Sequence, residues 1–237
     1  MVEPVKHPRS DPPGGLPPGR TPRRYDASGR QQQAMSSRAA ILDAARDCFL
    51  ASGFRTTTIV GVAAAGHVST QQVYKLFGSK AGLVKALFDV SIAGDDEPST
   101  MIERAALKGV RNEPDPREKL RRYGEFVADT APRHVPIQLL IRAAADTDPD
   151  AAALWNQLGQ ERLQGMTMFA RDLAPHLRTG VTVDRARDLL WASNSPEMWD
   201  LLVTRRGWTP HHFGQHLADT LAATLLTTTS CGTDQGG

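Results

Sequence analysis

Ser69 constrains this 237-residue chain most, because three helix-start signals converge on it. Its hydroxyl can accept a bond from a free backbone N–H of the following turn. Gln72 lies three residues on and can reach back to complete a capping box. Val68 and Val73 occupy the two positions of a hydrophobic staple. A helix therefore begins at Thr70. Upstream, Val62, Ala63 and Ala65 give a second segment a small apolar face, and Gly66-His67 supplies the turn between them. Thr57 to Lys80, TTIVGVAAAGHVSTQQVYKLFGSK, thus reads as helix, sharp turn, helix.

The second helix of this pair is amphipathic. Val73, Leu76 and Phe77 share one face and can pack on the first helix. Thr70, Gln71, Tyr74 and Lys75 share the other, which is rich in hydrogen-bonding groups and free of acid. A helix that reads DNA needs such a face: its N-terminal side chains meet base edges, while Tyr and Lys hold phosphates. Capping and periodicity alone also fit an ordinary solvated helix hairpin.

The wider stretch GFRTTTIVGVAAAGHVSTQQVYKLFGSKAGL resembles the DNA-binding signature of the TetR family of bacterial transcriptional regulators. The shared residues are Gly53-Phe54, Thr57-Thr58, Val68-Ser69, Val73-Tyr74, Phe77, Ser79-Lys80 and Leu83. The resemblance runs from about Arg38 to Phe88. It departs at Gly66-His67, where the family usually has Ala-Gly, and at Gly82, where it often has a good helix former. His is among the side chains less averse to positive φ. The resemblance implies an all-α fold with an N-terminal three-helix helix-turn-helix domain and a larger helical C-terminal domain for effector binding and dimerisation. It implies DNA contacts from Thr57, Thr58, Ser69, Thr70, Gln71, Gln72, Tyr74 and Lys75. Lys80, at the start of a fourth helix, is implied to meet a phosphate.

Charge agrees with a chain that meets a polyanion at one end. Residues 1–93 carry 12 Lys and Arg against 6 Asp and Glu, while the remainder carries 16 against 20. Hydrophobic residues make up 40% of the chain, enough for a core, yet no run of about 18 apolar residues suggests a membrane span. Cys48 and Cys231 do not make a disulfide framework, and a cytoplasmic protein is expected. No Gly-rich phosphate loop, nucleophile elbow or zinc-protease motif is present, so no enzyme is expected and no cofactor is implied.

Taken in order, residues 1–29 are a Pro- and Arg-rich arm, expected to be disordered. It either lies on phosphates or is a solvated tail. The DNA-binding domain is expected over 30–95, with a first helix from about Gln31 to Ser52 closed by Gly53. Asp95-Asp96-Glu97-Pro98 marks the boundary. A helical effector-binding and dimerisation domain should fill 98–228, followed by a flexible tail over 229–237. Within it, helices are expected near Thr100–Arg111, Pro116–Ala131, Val135–Asp146 and Pro149–Leu177. Thr182, Ser195-Pro196 and Thr209-Pro210 open three more.

In this second domain Trp155, Met166, Phe169, Trp191 and Trp199 are candidate walls of an apolar effector pocket, with core packing as the alternative for each. Arg142 can meet an acidic effector group or reach the surface. Phe213, Leu217, Leu221 and Leu225 form one stripe. By resemblance it is a dimer seam; the same stripe can close the subunit's own core. His212 and His216 are spaced to present two imidazoles, but no third ligand is suggested and no metal site is expected. The expected protein is a homodimeric repressor that binds palindromic double-stranded operator DNA and answers to a small, largely apolar effector. The alternative is a DNA-binding protein with a filled C-terminal core and no effector.

Overall fold

The computed structural model describes residues 27–94 and 105–227. Residues 1–26 of the arm, the Asp95–Pro98 boundary and the C-terminal tail fall outside these residues, whereas residues 27–29, expected in the disordered arm, are helical. Among the described residues ten α-helices follow one another: α1 Ala27–Thr56, α2 Ile59–Ala65, α3 Thr70–Phe77, α4 Lys80–Ala93, α5 Ala105–Arg111, α6 Pro116–Ala145, α7 Pro149–Leu173, α8 Val183–Ser193, α9 Pro196–Trp199 and α10 Pro210–Leu225. Among the described residues no strand forms, and the fold is all-α.

Side-chain caps set most helix starts. Thr58, Ser69, Ser79, Asp115, Asp148, Thr182, Ser195 and Thr209 each accept a backbone N–H of the first turn. At the other end of α1, Gly53 breaks the helix with φ 78°, ψ 172°, and one further turn runs to Thr56. The helix also starts four residues before the expected Gln31.

The expected break between Ala131 and Val135 does not occur: α6 is one helix of 30 residues with Pro132 and Pro136 inside it. Both prolines are exposed, whereas Ala131, Val135 and Ile137 beside them are buried. Proline removes a helical donor, but water can serve the freed carbonyls on the outer face while packing holds the inner one. At the end of α7 the chain tightens into a 3₁₀ turn, Ala174–His176, short of the expected Leu177. After α9 a π-helical turn, Asp200–Thr204, carries the chain past Leu201 and Leu202.

Two apolar clusters organise these helices. The first joins Ile41, Phe49, Val62, Val73, Leu83 and Leu87 to Ile137 and Ile141 of α6 and to Leu154 and Leu158 of α7. The second gathers Leu120, Tyr123, Val127, Phe169, Leu173, Leu190 and Trp199 with the α10 stripe. Helices α6 and α7 therefore belong to both. In that second cluster Phe213, Leu217, Leu221 and Leu225 are at most 2% exposed within one protomer. This corrects the expectation of a dimer seam there, because the stripe closes the protomer's own core. Each such side chain contributes about 1.5–3 kcal/mol by leaving water, so the inward orientation wins.

Candidate nucleic-acid interface and ligand cavity

The helix-turn-helix forms where the sequence places it. Ser69 Oγ accepts the Gln72 N–H at 3.1 Å, and Thr58 Oγ1 accepts the Gly61 N–H at 3.0 Å. In the turn, His67 rather than Gly66 takes the left-handed conformation: φ is 52° at His67 and −83° at Gly66. Val73 is fully buried and anchors α3 to the head. Phe77 is half-buried beneath the Arg38 guanidinium, 4.8 Å from the ring centroid. Leu76, expected inside, is 37% exposed.

On the outward side Gln71, Tyr74 and Lys75 are exposed, and Thr70 and Gln72 are partly so. The helix carries no Asp or Glu. Two of the residues expected to touch DNA are instead engaged within the head. Thr57 is 5% exposed, and its hydroxyl is shared between the carbonyls of Cys48 at 3.0 Å and Gly53 at 2.8 Å. Lys80 Nζ donates to the carbonyls of Phe54 at 2.9 Å and Thr57 at 3.4 Å, and lies 4.4 Å from the Phe54 ring centroid. The broken end of α1 has carbonyls left over by its lost helical bonds, and a cation satisfies them. Gly82 is also explained: a Cβ there would lie 2.1 Å from the Phe77 carbonyl oxygen, so the expected helix former does not fit.

A cavity of about 410 Å³ lies between α4, α5, α6, α7 and the α8–α9 junction. Met166, Phe169 and Trp199 line it, as expected. The other three candidates are elsewhere. Arg142 is exposed and pairs with Asp146 at 3.1 Å. Trp155 packs on the first apolar cluster. Trp191 is 37% exposed and stacks under Arg162 at 4.4 Å.

Lining residues that the sequence reading missed include Phe88, Asp89, Tyr123, His134, Gln138, Glu161, Arg162, Asn194 and Ser195. Tyr123 and His134 lie three turns apart on α6, a repeat that only the uninterrupted helix puts on one side. The Tyr123 hydroxyl accepts from Asn194 Nδ2 at 2.7 Å and faces Met166 Sδ at 3.4 Å; burial pushes the phenol above its usual range. Burial also pushes His134 down to about 4, with Gln138 Oε1 3.3 Å from its Nδ1 and Phe88 edge-on at 5.8 Å. Lys85 bonds Asp89 at 2.7 Å and Glu161 at 3.2 Å, tying α4 to α7 at the cavity rim, and burial raises Asp89. Away from the cavity, His212 stacks on Trp208 at 4.0 Å and His216 meets the same ring edge-on at 5.2 Å. Among the described residues no group of three or more His, Cys, Asp or Glu is placed to hold a metal.

Residues 41–87, which hold α2, α3 and most of α1 and α4, match the family model of bacterial regulatory proteins of the tetR family. The DNA-binding head belongs to that family. No curated relative matches the chain. Among solved structures it is similar to NalD, the secondary repressor of the MexAB-OprM multidrug efflux pump in Pseudomonas aeruginosa, at 21% identity and a TM-score of 0.63, covering 83% of this chain and 99% of that one. A protein from Saccharomonospora viridis described as a transcriptional regulator, in complex with choline, matches at 19% identity and a TM-score of 0.60, covering 81% and 98%. A Mesorhizobium loti protein described as a TetR-family regulator matches at 19% identity and a TM-score of 0.59, covering 82% and 99%. These likenesses show the TetR-regulator fold across both apolar clusters. Among the described residues no helix is long and apolar enough to cross a membrane.

Proposed function

We propose that this TetR-family chain is a homodimeric, ligand-responsive transcriptional repressor of the cytoplasm, a binding protein rather than an enzyme. The observation that carries this is α3: capped by Ser69, anchored by Val73, acid-free, with Gln71, Tyr74 and Lys75 exposed. Thr70 and Gln71 sit in its first turn, the part of a recognition helix that reaches base edges. Tyr74 and Lys75 come a turn later and hold phosphates; Thr58, Ser69 and Gln72 support the helix ends through their caps. The functional units are a DNA-binding domain over 30–95 and an effector-binding and dimerisation domain over 98–228.

Dimerisation is assigned to α8 and the outer face of α10, since the inner face of α10 is covered within the protomer. The cavity supports a small-molecule effector over the alternative of a filled core. It reaches Phe88, Asp89 and Ile92 of α4, the helix next to the recognition helix. A ligand that prefers one α4 position shifts the population of heads that fit the operator.

The test is a shift assay with the DNA upstream of its own gene, with light scattering of the free protein. A dimer of the 25.8 kDa chain that retards this DNA more tightly than scrambled DNA supports the reading. A monomer, or equal retardation of both DNAs, contradicts it.

A further inference from the structure

The charged groups that line the cavity are not matched alike. Asp89 and Glu161 share the Lys85 ammonium. Arg162 forms no ion pair with a carboxylate among the described residues, although Glu197 acts on it electrostatically. One terminal nitrogen, Nη1, donates to the carbonyls of Trp191 and, at 3.0 Å, Asn194, which caps the end of α8. The guanidinium plane stacks on Trp191. Its Nε and Nη2 have no acceptor among the described residues. Burial works against the charge, and a desolvated guanidinium is ordinarily met by an anion.

Two hydroxyls that also line the cavity are short of good acceptors. Tyr123 accepts from Asn194 and has only the Met166 sulfur, a weak acceptor, for its own proton. Ser195 Oγ accepts from the Met198 N–H at 3.2 Å, which leaves its O–H free to donate. Around Arg162 the wall thus offers donors and a positive charge, while of the carboxylates that also line the cavity Asp89 and Glu161 are held by Lys85 and Asp172 is the third. The volume of about 410 Å³ lies inside the usual range for small-molecule sites.

We propose that the cavity takes an amphiphilic carboxylic acid as its anion. Its carboxylate is held by the free edge of Arg162 with the Tyr123 and Ser195 hydroxyls, and its apolar body lies against Phe169 and Trp199. The proposal rests on reading the cavity as the effector site. A guanidinium fork matches a carboxylate with two parallel bonds. A cationic ligand at the same place meets a like charge, and a neutral one leaves the guanidinium unmatched.

Three probes with one ten-carbon chain separate these cases: decanoate, decanol and decyltrimethylammonium, each titrated below its micelle concentration. Calorimetry gives affinity, and the change in tryptophan fluorescence, with Trp199 in the wall, reports occupancy. The full chain should bind decanoate about tenfold or more tightly than either other probe. Arg162→Gln should lose that preference while still binding decanol. Because Arg162 also caps α8, Arg162→Lys serves as the variant that keeps the charge and loses the fork; it should retain part of the preference. Equal affinity for the three probes, or a preference for the ammonium, overturns the carboxylate assignment while leaving a ligand site. Failure of all three to bind overturns the effector reading of the cavity itself, and this proposal with it.

Discussion

Gly124 of α6 and Gly214 of α10 meet backbone to backbone: a Cβ on Gly124 would lie 2.2 Å from the Gly214 carbonyl oxygen, and one on Gly214 would lie 2.3 Å from the Gly124 oxygen. Two long helices can approach this closely only where both lack a side chain. The crossing fixes α10 against α6 and turns Phe213, Leu217, Leu221 and Leu225 inward.

That contact reverses an ordinary expectation. In an exposed helix interior, Gly→Ala stabilises by about 1 kcal/mol. Here Gly124→Ala or Gly214→Ala must force the helices apart, at a cost of about 1–3 kcal/mol or more. Denaturant unfolding should show a lowered midpoint for both variants. An unchanged or raised midpoint would contradict the close crossing.

Lys80 separates a structural from a DNA-binding role. Its ammonium holds the Phe54 and Thr57 carbonyls at the end of α1. Lys80→Met keeps the apolar stem over the Phe54 ring and removes both bonds, which should destabilise the fold by about 1–2 kcal/mol. The salt dependence of DNA binding should keep the parent's slope. A direct phosphate contact would instead lower the log–log slope by about 0.9, and that outcome would return Lys80 to the interface.

His134 predicts a loss of stability toward acid. Burial holds it neutral down to about 4, below the unfolded value of about 6.5. Between these values the unfolded chain binds a proton that the folded chain does not. The stability contribution is therefore complete above about pH 6.5 and lost as pH falls toward about 4. His134→Gln should flatten the fall in melting temperature between about pH 7 and about pH 5. A variant with the parent's full acid-side slope would contradict this assignment to His134.

The local chemistry of helix starts was legible in the residues: Thr182, Ser195 and Thr209 cap where their sequence signals place caps. The recognition helix was legible for the same reason, since its start is written in neighbouring side chains. What was not legible depends on packing between distant segments. The helices expected near Pro116–Ala131 and Val135–Asp146 are one, because tertiary burial of Ala131 and Val135 overrides the local cost of Pro132 and Pro136. Gly82 read as a weak helix former until the Phe77 carbonyl appeared beside it. Large apolar side chains drew attention to Trp155 and Trp191, yet the cavity gains its character from Tyr123, Arg162 and Asn194. Those three are brought together from helices 30 or more positions apart in sequence, and no periodicity links them.

In the proposed function, α3 reads DNA sequence through its first turn. Gln71 is exposed there, and a Gln–adenine pair discriminates by about 1–3 kcal/mol. Lys75, a turn later, is assigned to phosphate. The decisive measurement is a titration of the parent, Gln71→Ala and Lys75→Ala against operator and scrambled duplexes at two salt concentrations, with melting curves to confirm that each variant folds. Gln71→Ala should lose about five- to 150-fold in affinity for the operator and little for scrambled DNA. Lys75→Ala should weaken both alike and make the salt dependence shallower. Equal loss on both duplexes for Gln71→Ala, or no loss on either, would contradict the assignment of this helix face to base reading.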